Sequence, residues 1–186
     1  MTLVLASRSP QRRAILEQLG VAFVERPVDV VEEDAGAPAA VAEENALRKA
    51  LAAGASEGEI VLGVDTVVAT GVEIWGKPPN ADAARETLRR LSGRSHLVIS
   101  GIALLRAGGD VQSATATTEV TFRALDDALI EWYVARGEWE ERAGGYAIQG
   151  RGAALVERID GDYLNVVGLP VATLIRLWPA LLDLST

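Results

Sequence analysis

The 186-residue chain has no cysteine, a single histidine, no long apolar run and a deficit of positive charge. Each shortage removes a class of chemistry. Without cysteine there are no disulfides and no thiolate metal sites. With His96 alone, histidine-rich metal sites and a Ser-His-Asp triad drawn from several candidates are disfavoured. No apolar stretch is long enough to span a bilayer. Arg8 interrupts the only apolar run near the N-terminus, and no basic segment precedes that run, so a secretory leader is not expected. Acidic residues outnumber basic ones by 26 to 18, a net charge of -8. Such a chain lacks the broad basic footprint that long nucleic acids require, although a local basic pocket can still take a small phosphorylated ligand. What the chain has in quantity is apolar side chains, 49% of the total, enough for a sizeable core in one domain or two tightly joined lobes. A cytoplasmic location is the default expectation.

Against this background the stretch Ala6-Ser7-Arg8-Ser9-Pro10-Gln11-Arg12-Arg13 stands out. It follows Leu3-Val4-Leu5, which reads as a buried strand. It precedes Ala14 to Leu19, an apolar stripe at helical spacing that stops at Gly20. Ser9 is suited to cap that helix, and Pro10 to its first position, where a missing N–H costs nothing. Arg12 and Arg13 then fall in the first helical turn, where the helix dipole disfavours cations. Surface pairing with glutamates would explain any one of these arginines. The whole cluster at a capped helix start, with the hydroxyls of Ser7 and Ser9 beside it, points to a bound phosphate.

Further along, Val21 to Val31 has extended character and ends in Glu32-Glu33-Asp34. A solvated turn accounts for that acidic run; a divalent cation site would be its other use. Ala39 to Ala53 reads as a helix in which Glu44/Arg48 and Asn45/Lys49 are i,i+4 pairs, and Lys49 is free to serve a phosphate or the surface. Ile60 to Ala69 is almost wholly apolar, as a central strand covered on both faces would be, yet Asp65 interrupts it. A carboxylate there must be paired, metal-bound or raised in pKa, and a catalytic or metal role accounts for its cost better than a purely structural one. Gly71 to Lys77 imitates a Walker A loop, but Pro78 stands where the magnesium-binding hydroxyl belongs. A hairpin presenting Lys77 to an anion is the better reading. A helix over Asn80 to Leu91, strands over His96 to Leu105 and Ala114 to Phe122, and a helix over Asp126 to Ala135 follow. In Arg142 to Gly152 four glycines imply close backbone approach, and Gln149 has the donor and acceptor needed to read a base edge. Strands over Ala153 to Ile159 and Tyr163 to Val167 and a final helix over Val171 to Leu182 complete the chain.

Taken together, SRSPQRR, LGVDTVV, GKP, LSGRSH, AGGYAIQGRG and GDYLNVVGLP, in this order, resemble the Maf family of nucleoside triphosphate pyrophosphatases over nearly the whole chain. The resemblance implies one domain, residues 1–186, with the inosine-triphosphate-pyrophosphatase-like α/β fold. That fold is a long mixed sheet flanked by helices, with two lobes around a nucleotide cleft. It implies cleavage between the α and β phosphates with a divalent cation, Mg2+ or Mn2+. It assigns proton acceptance to Asp65, phosphate binding to Ser7, Ser9, Arg12, Lys49 and Lys77, and the metal to Asp65 and Glu33. Arg13 joins the phosphate-binding set as part of the basic cluster. Thr66 and Gln149 match the dTTP/UTP branch, while Gln11 departs from the arginine common there. The partner expected is a nucleoside triphosphate, with neither nucleic acid nor membrane, and the resemblance implies a homodimer although no patch demands one. The other readings are a 7-methyl-GTP or other purine-selective pyrophosphatase, and a nucleotide-binding cell-division regulator.

Overall fold

Leu3, Val4 and Leu5 are fully buried in the first strand, β1 (Thr2–Leu5), and the chain turns at once into α1 (Pro10–Gln18). A computed structural model describes residues 1–182. β2 (Phe23–Glu25) lies parallel to β1, shorter than the extended stretch foreseen. After it the chain runs without regular structure to α2 (Pro38–Ala53). Three long strands then carry the sheet. They are β3 (Glu59–Thr70), β5 (Ser95–Arg106) and β6 (Val111–Phe122), each antiparallel to the next. Between β3 and β5 come the short β4 (Glu73–Trp75) and α3 (Ala81–Leu91), the latter capped by the Asn80 side chain. After β6 come α4 (Asp127–Val134), β7 (Val156–Asp160), α5 (Tyr163–Val167) and α6 (Val171–Leu177). The seven strands form one mixed sheet in the order β2-β1-β3-β5-β6-β7, with β4 also paired to β3. Among the described residues, no helix is long and apolar enough to cross a membrane.

Three further segments differ from the sequence reading, the first being the strand expected from Ala153, which begins only at Val156 after a 3-10 turn over Arg151–Leu155. Tyr163–Val167, expected as a strand, is a helical turn. The Asp162 carboxylate accepts from Leu164 N at 2.8 Å at its start, and Gly168, at φ 126°, ends it. Two strong local caps outweigh a weak β preference here. The last helix stops at Leu177 instead of Leu182 because Pro179 forces Trp178 out of helical geometry (φ −138°, ψ 81°).

The pairing along β3 positions everything else. One edge of β3 is matched by β5 continuously from Ile60 to Ala69. On the other edge β1 pairs only with Glu59 to Leu62, and β4 only with Val68 to Thr70. Between them β3 has no strand on that edge, so Asp65 and Thr66 face a gap. The carboxyl end of β1 opens into the same gap. Two apolar cores flank it. One joins Leu5, Ile15, Leu62, Val64 and Leu174; the other joins Val68, Leu88, Phe122, Tyr133 and Tyr146. The long strands run through both cores, which makes the two lobes one continuous sheet.

Behind the sheet α2 lies unusually close. A Cβ on Gly101 would sit 2.2 Å from Ala42 O, and one on Gly63 2.1 Å from Ala46 O. These two glycines let the helix backbone rest directly on β3 and β5, which brings Asn45 and Lys49 within reach of Asp65. A methyl group there must push the helix away, since packed interiors have no slack. Gly101→Ala is therefore expected to destabilise the protein by about 2–3 kcal/mol. The melting temperature should fall by roughly 5–10 °C for a chain of this size, as read by calorimetry.

Candidate active site

The turn after β1 behaves as the sequence suggested at its cap. The Ser9 hydroxyl accepts from Arg12 N at 3.4 Å, and Pro10 occupies the first helical position. The arginines do not converge. Arg8 pairs with Asp29 at 2.6 Å on the exposed rim of the gap, and Arg13 pairs with Glu25 at 2.8 Å, away from it. Arg13 is thus not among the residues brought together here. For these two, the glutamate- and aspartate-paired surface is the observed outcome.

Arg12 alone enters. Its side chain is buried and donates from Nε to Gly168 O at 2.9 Å, from Nη1 to Ser7 Oγ at 2.9 Å and from Nη2 to Thr66 Oγ1 at 3.3 Å. A guanidinium has five N–H groups, so two remain for a ligand. Burial lowers its pKa, while the nearby carboxylates of Asp65 and Glu32 pull the other way. An arginine stays charged under such opposing influences. Thr66 is in turn bonded to the fully buried Ser100 at 2.9 Å. Ser7, Thr66, Ser100 and Gly168 therefore hold one guanidinium in one orientation.

Beside it, Asp65 is buried and bonded at both oxygens. Lys49 Nζ donates to Oδ1 at 2.7 Å and Asn45 Nδ2 to Oδ2 at 3.2 Å. The same ammonium lies 2.6 Å from Glu32 Oε1. Asn45 also ties down the acidic loop, donating to Glu33 O and accepting from Glu33 N. Glu33 itself gives its carboxylate to Arg48 at 2.6 Å. The carboxylate that shares a cation with Asp65 is thus Glu32, while Glu33, expected beside Asp65 at a metal, has its side chain on Arg48. Sequence reading left Glu32 undistinguished within the acidic run and gave Asn45 only a helix-surface role. An asparagine within an alanine-rich helix, four residues before Lys49, was the available signal.

These groups line a cleft of about 880 Å³, within the range of pockets that hold small organic ligands. Gln11, Lys77, Gln149 and Arg142 also border it, and Val67, Val98 and Val167 supply apolar wall. Lys77 reaches Glu141 at 2.9 Å, both side chains being largely exposed. Gln149 is exposed at the cleft, with its amide directed to no protein partner among the described hydrogen bonds. The cleft joins cationic side chains from four separate segments of the chain to one buried carboxylate and an apolar wall. That composition suits a ligand with an anionic tail and a flat body.

The Maf-like protein family matches residues 2–181 of the chain. The chain belongs to the Maf family. Among relatives of this Maf protein, one from Symbiobacterium thermophilum, named dTTP/UTP pyrophosphatase, is 46% identical over 94% of this chain and 91% of its own. Proteins of the same name from Moorella thermoacetica and Pyrococcus furiosus are 48% and 40% identical, over 91% and 94% of this chain and 89% and 93% of their own. A solved Ham1 protein from Coxiella burnetii is 20% identical, with a TM-score of 0.48 over 83% of this chain and 92% of its own.

Under the cleft of this Maf protein lies its single histidine. His96 is buried, shares a hydrogen bond of 2.8 Å with the Tyr146 hydroxyl and stacks edge-on against Phe122. Burial holds its pKa down at about 4, from an ordinary 6.5. The folded protein thus binds a proton at His96 less readily than the unfolded chain does. Full stability is present above pH 6.5 and is lost as pH falls toward 4, by roughly 3 kcal/mol for this group. In His96→Gln, the drop in melting temperature between pH 6.5 and 4.5 should be shallower than in wild type, whatever the two proteins' absolute values.

Proposed function

We propose that this Maf protein is a nucleoside triphosphate pyrophosphatase, hydrolysing dTTP and UTP to the nucleoside monophosphate and pyrophosphate. The observation that carries the reading is Asp65, buried and shared with Lys49, directly beside the anchored guanidinium of Arg12. The relatives named dTTP/UTP pyrophosphatase support the choice of bases.

The polyphosphate tail lies at the start of α1. It takes the two unspent N–H groups of Arg12 and the hydroxyls of Ser7 and Ser9, with Lys77 reaching in from the segment after β4. Lys49 exchanges its carboxylates for phosphate oxygens, which leaves Asp65 Oδ1 free to accept a proton from the attacking water. Asn45 keeps the other oxygen and so fixes the carboxylate's orientation. As charge builds on the bridging oxygen between the α and β phosphates, these preorganised cations stabilise it, typically the largest part of such catalysis. The apolar wall and Gln149 receive the base.

A divalent cation is compatible with the residues present. Glu32 and Asp65 offer hard oxygens around a single ammonium, although no cluster of three acidic or histidine ligands occurs among the described residues. Magnesium and manganese usually rest on one or two carboxylates and take the remaining ligands from water and phosphate. Asp65 and Glu32 would hold such an ion, in place of the Asp65–Glu33 pair expected from the resemblance. When bound it would supply neutralising charge to the phosphates.

Pyrophosphate release from dTTP in the presence of magnesium or manganese tests the reading; nucleotide binding without release would contradict it. Asp65→Asn should lower turnover by about 100-fold or more, as expected for a lost general base, with an unchanged circular dichroism spectrum. Gln149→Glu, which loses the amide donor, should change the ratio of dTTP to GTP rates measured side by side.

A further inference from the structure

The turn between α4 and the glycine-rich segment carries the one non-glycine residue of positive φ among the described residues, Glu141 at 56°. Such a conformation costs energy, and it persists where the surroundings impose it. Here the base of the turn is firmly held. Trp139 is buried with its indole N–H on Val134 O, and Glu138 accepts from Gly152 N. Beyond that base, Gly144 N is bonded to Gly76 O, next to Lys77. The left-handed Glu141 sends consecutive side chains apart. Its own carboxylate goes to Lys77, and the Arg142 guanidinium crosses the cleft mouth to Gln11.

That last contact is chemically incomplete. Arg142 Nη1 donates to Gln11 Oε1 at 3.1 Å, an oxygen that carries no charge and also accepts from Ser9 Oγ at 3.1 Å. Arg142 Nε is buried and has no partner at all. Among the described residues no carboxylate pairs with Arg142, although Glu140 and Glu141 are its neighbours in sequence. A guanidinium with most of its donors unspent, inside a cleft and beside a helix N-terminus, lacks an acceptor that carries charge. Phosphate oxygens are acceptors only and match its planar fork.

We propose that Arg142 is a substrate-binding residue that grips the polyphosphate tail from the lobe opposite α1, and that Gln11 is its resting place in the free protein. The proposal rests on the nucleotide reading above and adds a residue to it. Binding moves the guanidinium from a neutral amide to an anion, so the tail clasps the two lobes together at the cleft mouth. A nucleoside monophosphate has no β or γ phosphate and does not engage it.

The test is calorimetric titration with the α,β-imido analogue of dTTP and with dTMP. Arg142→Gln keeps a donor for Gln11 but removes the charge; it should weaken binding of the analogue by about tenfold or more and leave dTMP within about twofold. Arg142→Met, which keeps the apolar stem, should do the same and decides the matter if the Gln variant does not fold. Unchanged affinity for the analogue, or equal loss for both ligands, would mean Arg142 is merely a structural clasp and would overturn the proposal. Failure of the wild type to bind the analogue would instead overturn the nucleotide reading on which it stands.

Discussion

A buried guanidinium without a carboxylate hydrogen-bonded to it is the constraint on which this structure turns. Arg12 is anchored by a carbonyl and two hydroxyls, none of which carries charge. Burying an ion costs several kcal/mol even after relaxation, and neutral acceptors recover only part of it. The remainder comes from the carboxylates of Asp65 and Glu32 close by, which act through space. The three anchors lie on the turn after β1, on β3 and at the end of α5, so each fixes a different part of the chain around one cation. The helix dipole opposes a cation in the first turn of α1, and Arg13 there turns out to Glu25, while Arg8, ahead of the helix, pairs with Asp29. Only the arginine with a reason to stay points in.

The same logic explains the gap in the sheet. Were β1 one turn longer, it would pair with Gly63 to Val67 and seal Asp65 against its edge. Ser7 and Pro10 prevent that by diverting the chain into a helix, so the edge of β3 is left to side chains instead of a strand. On the opposite face Gly63 and Gly101 admit the α2 backbone, and Asn45 and Lys49 arrive from there. Thus a carboxylate in the middle of an apolar strand is tolerable because Asn45 and Lys49 partner it from α2 at the wall of the cleft.

Much of this was legible in the chain itself. The cap at Ser9, the apolar β3 with its one aspartate, and the glycines of the 144–152 stretch each carry a local signal strong enough to read. So does the sequence of motifs that resembles the family. What was not legible is which of several like residues faces inward. Three arginines within six residues look equivalent, and only the register of α1 against Gly168, 156 positions away, singles out Arg12. Glu32 and Glu33 are adjacent and chemically alike; the choice between them is made by Asn45, which binds the backbone of Glu33 and leaves its side chain to Arg48. Tyr163–Val167 reads as a strand because five residues are too few to show a period, and its caps decide its form.

The cleft's lysines share one further property. Lys49 is paired with Glu32 and Asp65, and Lys77 with Glu141. The chain's overall acidity is thus carried into its site: a phosphate must displace a carboxylate to reach an ammonium. The two exchanges are unequal. Lys77 and Glu141 are exposed, and pairs of that kind contribute at most about 1 kcal/mol, so a phosphate releases Lys77 with little cost. Lys49 is nearly buried between two carboxylates, one of them also nearly buried, and gives up far more when it moves. A single phosphate group is a poor match for that cost, whereas a tail of three can hold Arg12 and Lys77 while it draws Lys49 across. On the proposed reading, then, the release of Asp65 for catalysis is coupled to the length of the tail. The coupling arises because the same ammonium holds the carboxylate idle and, once moved, neutralises the substrate.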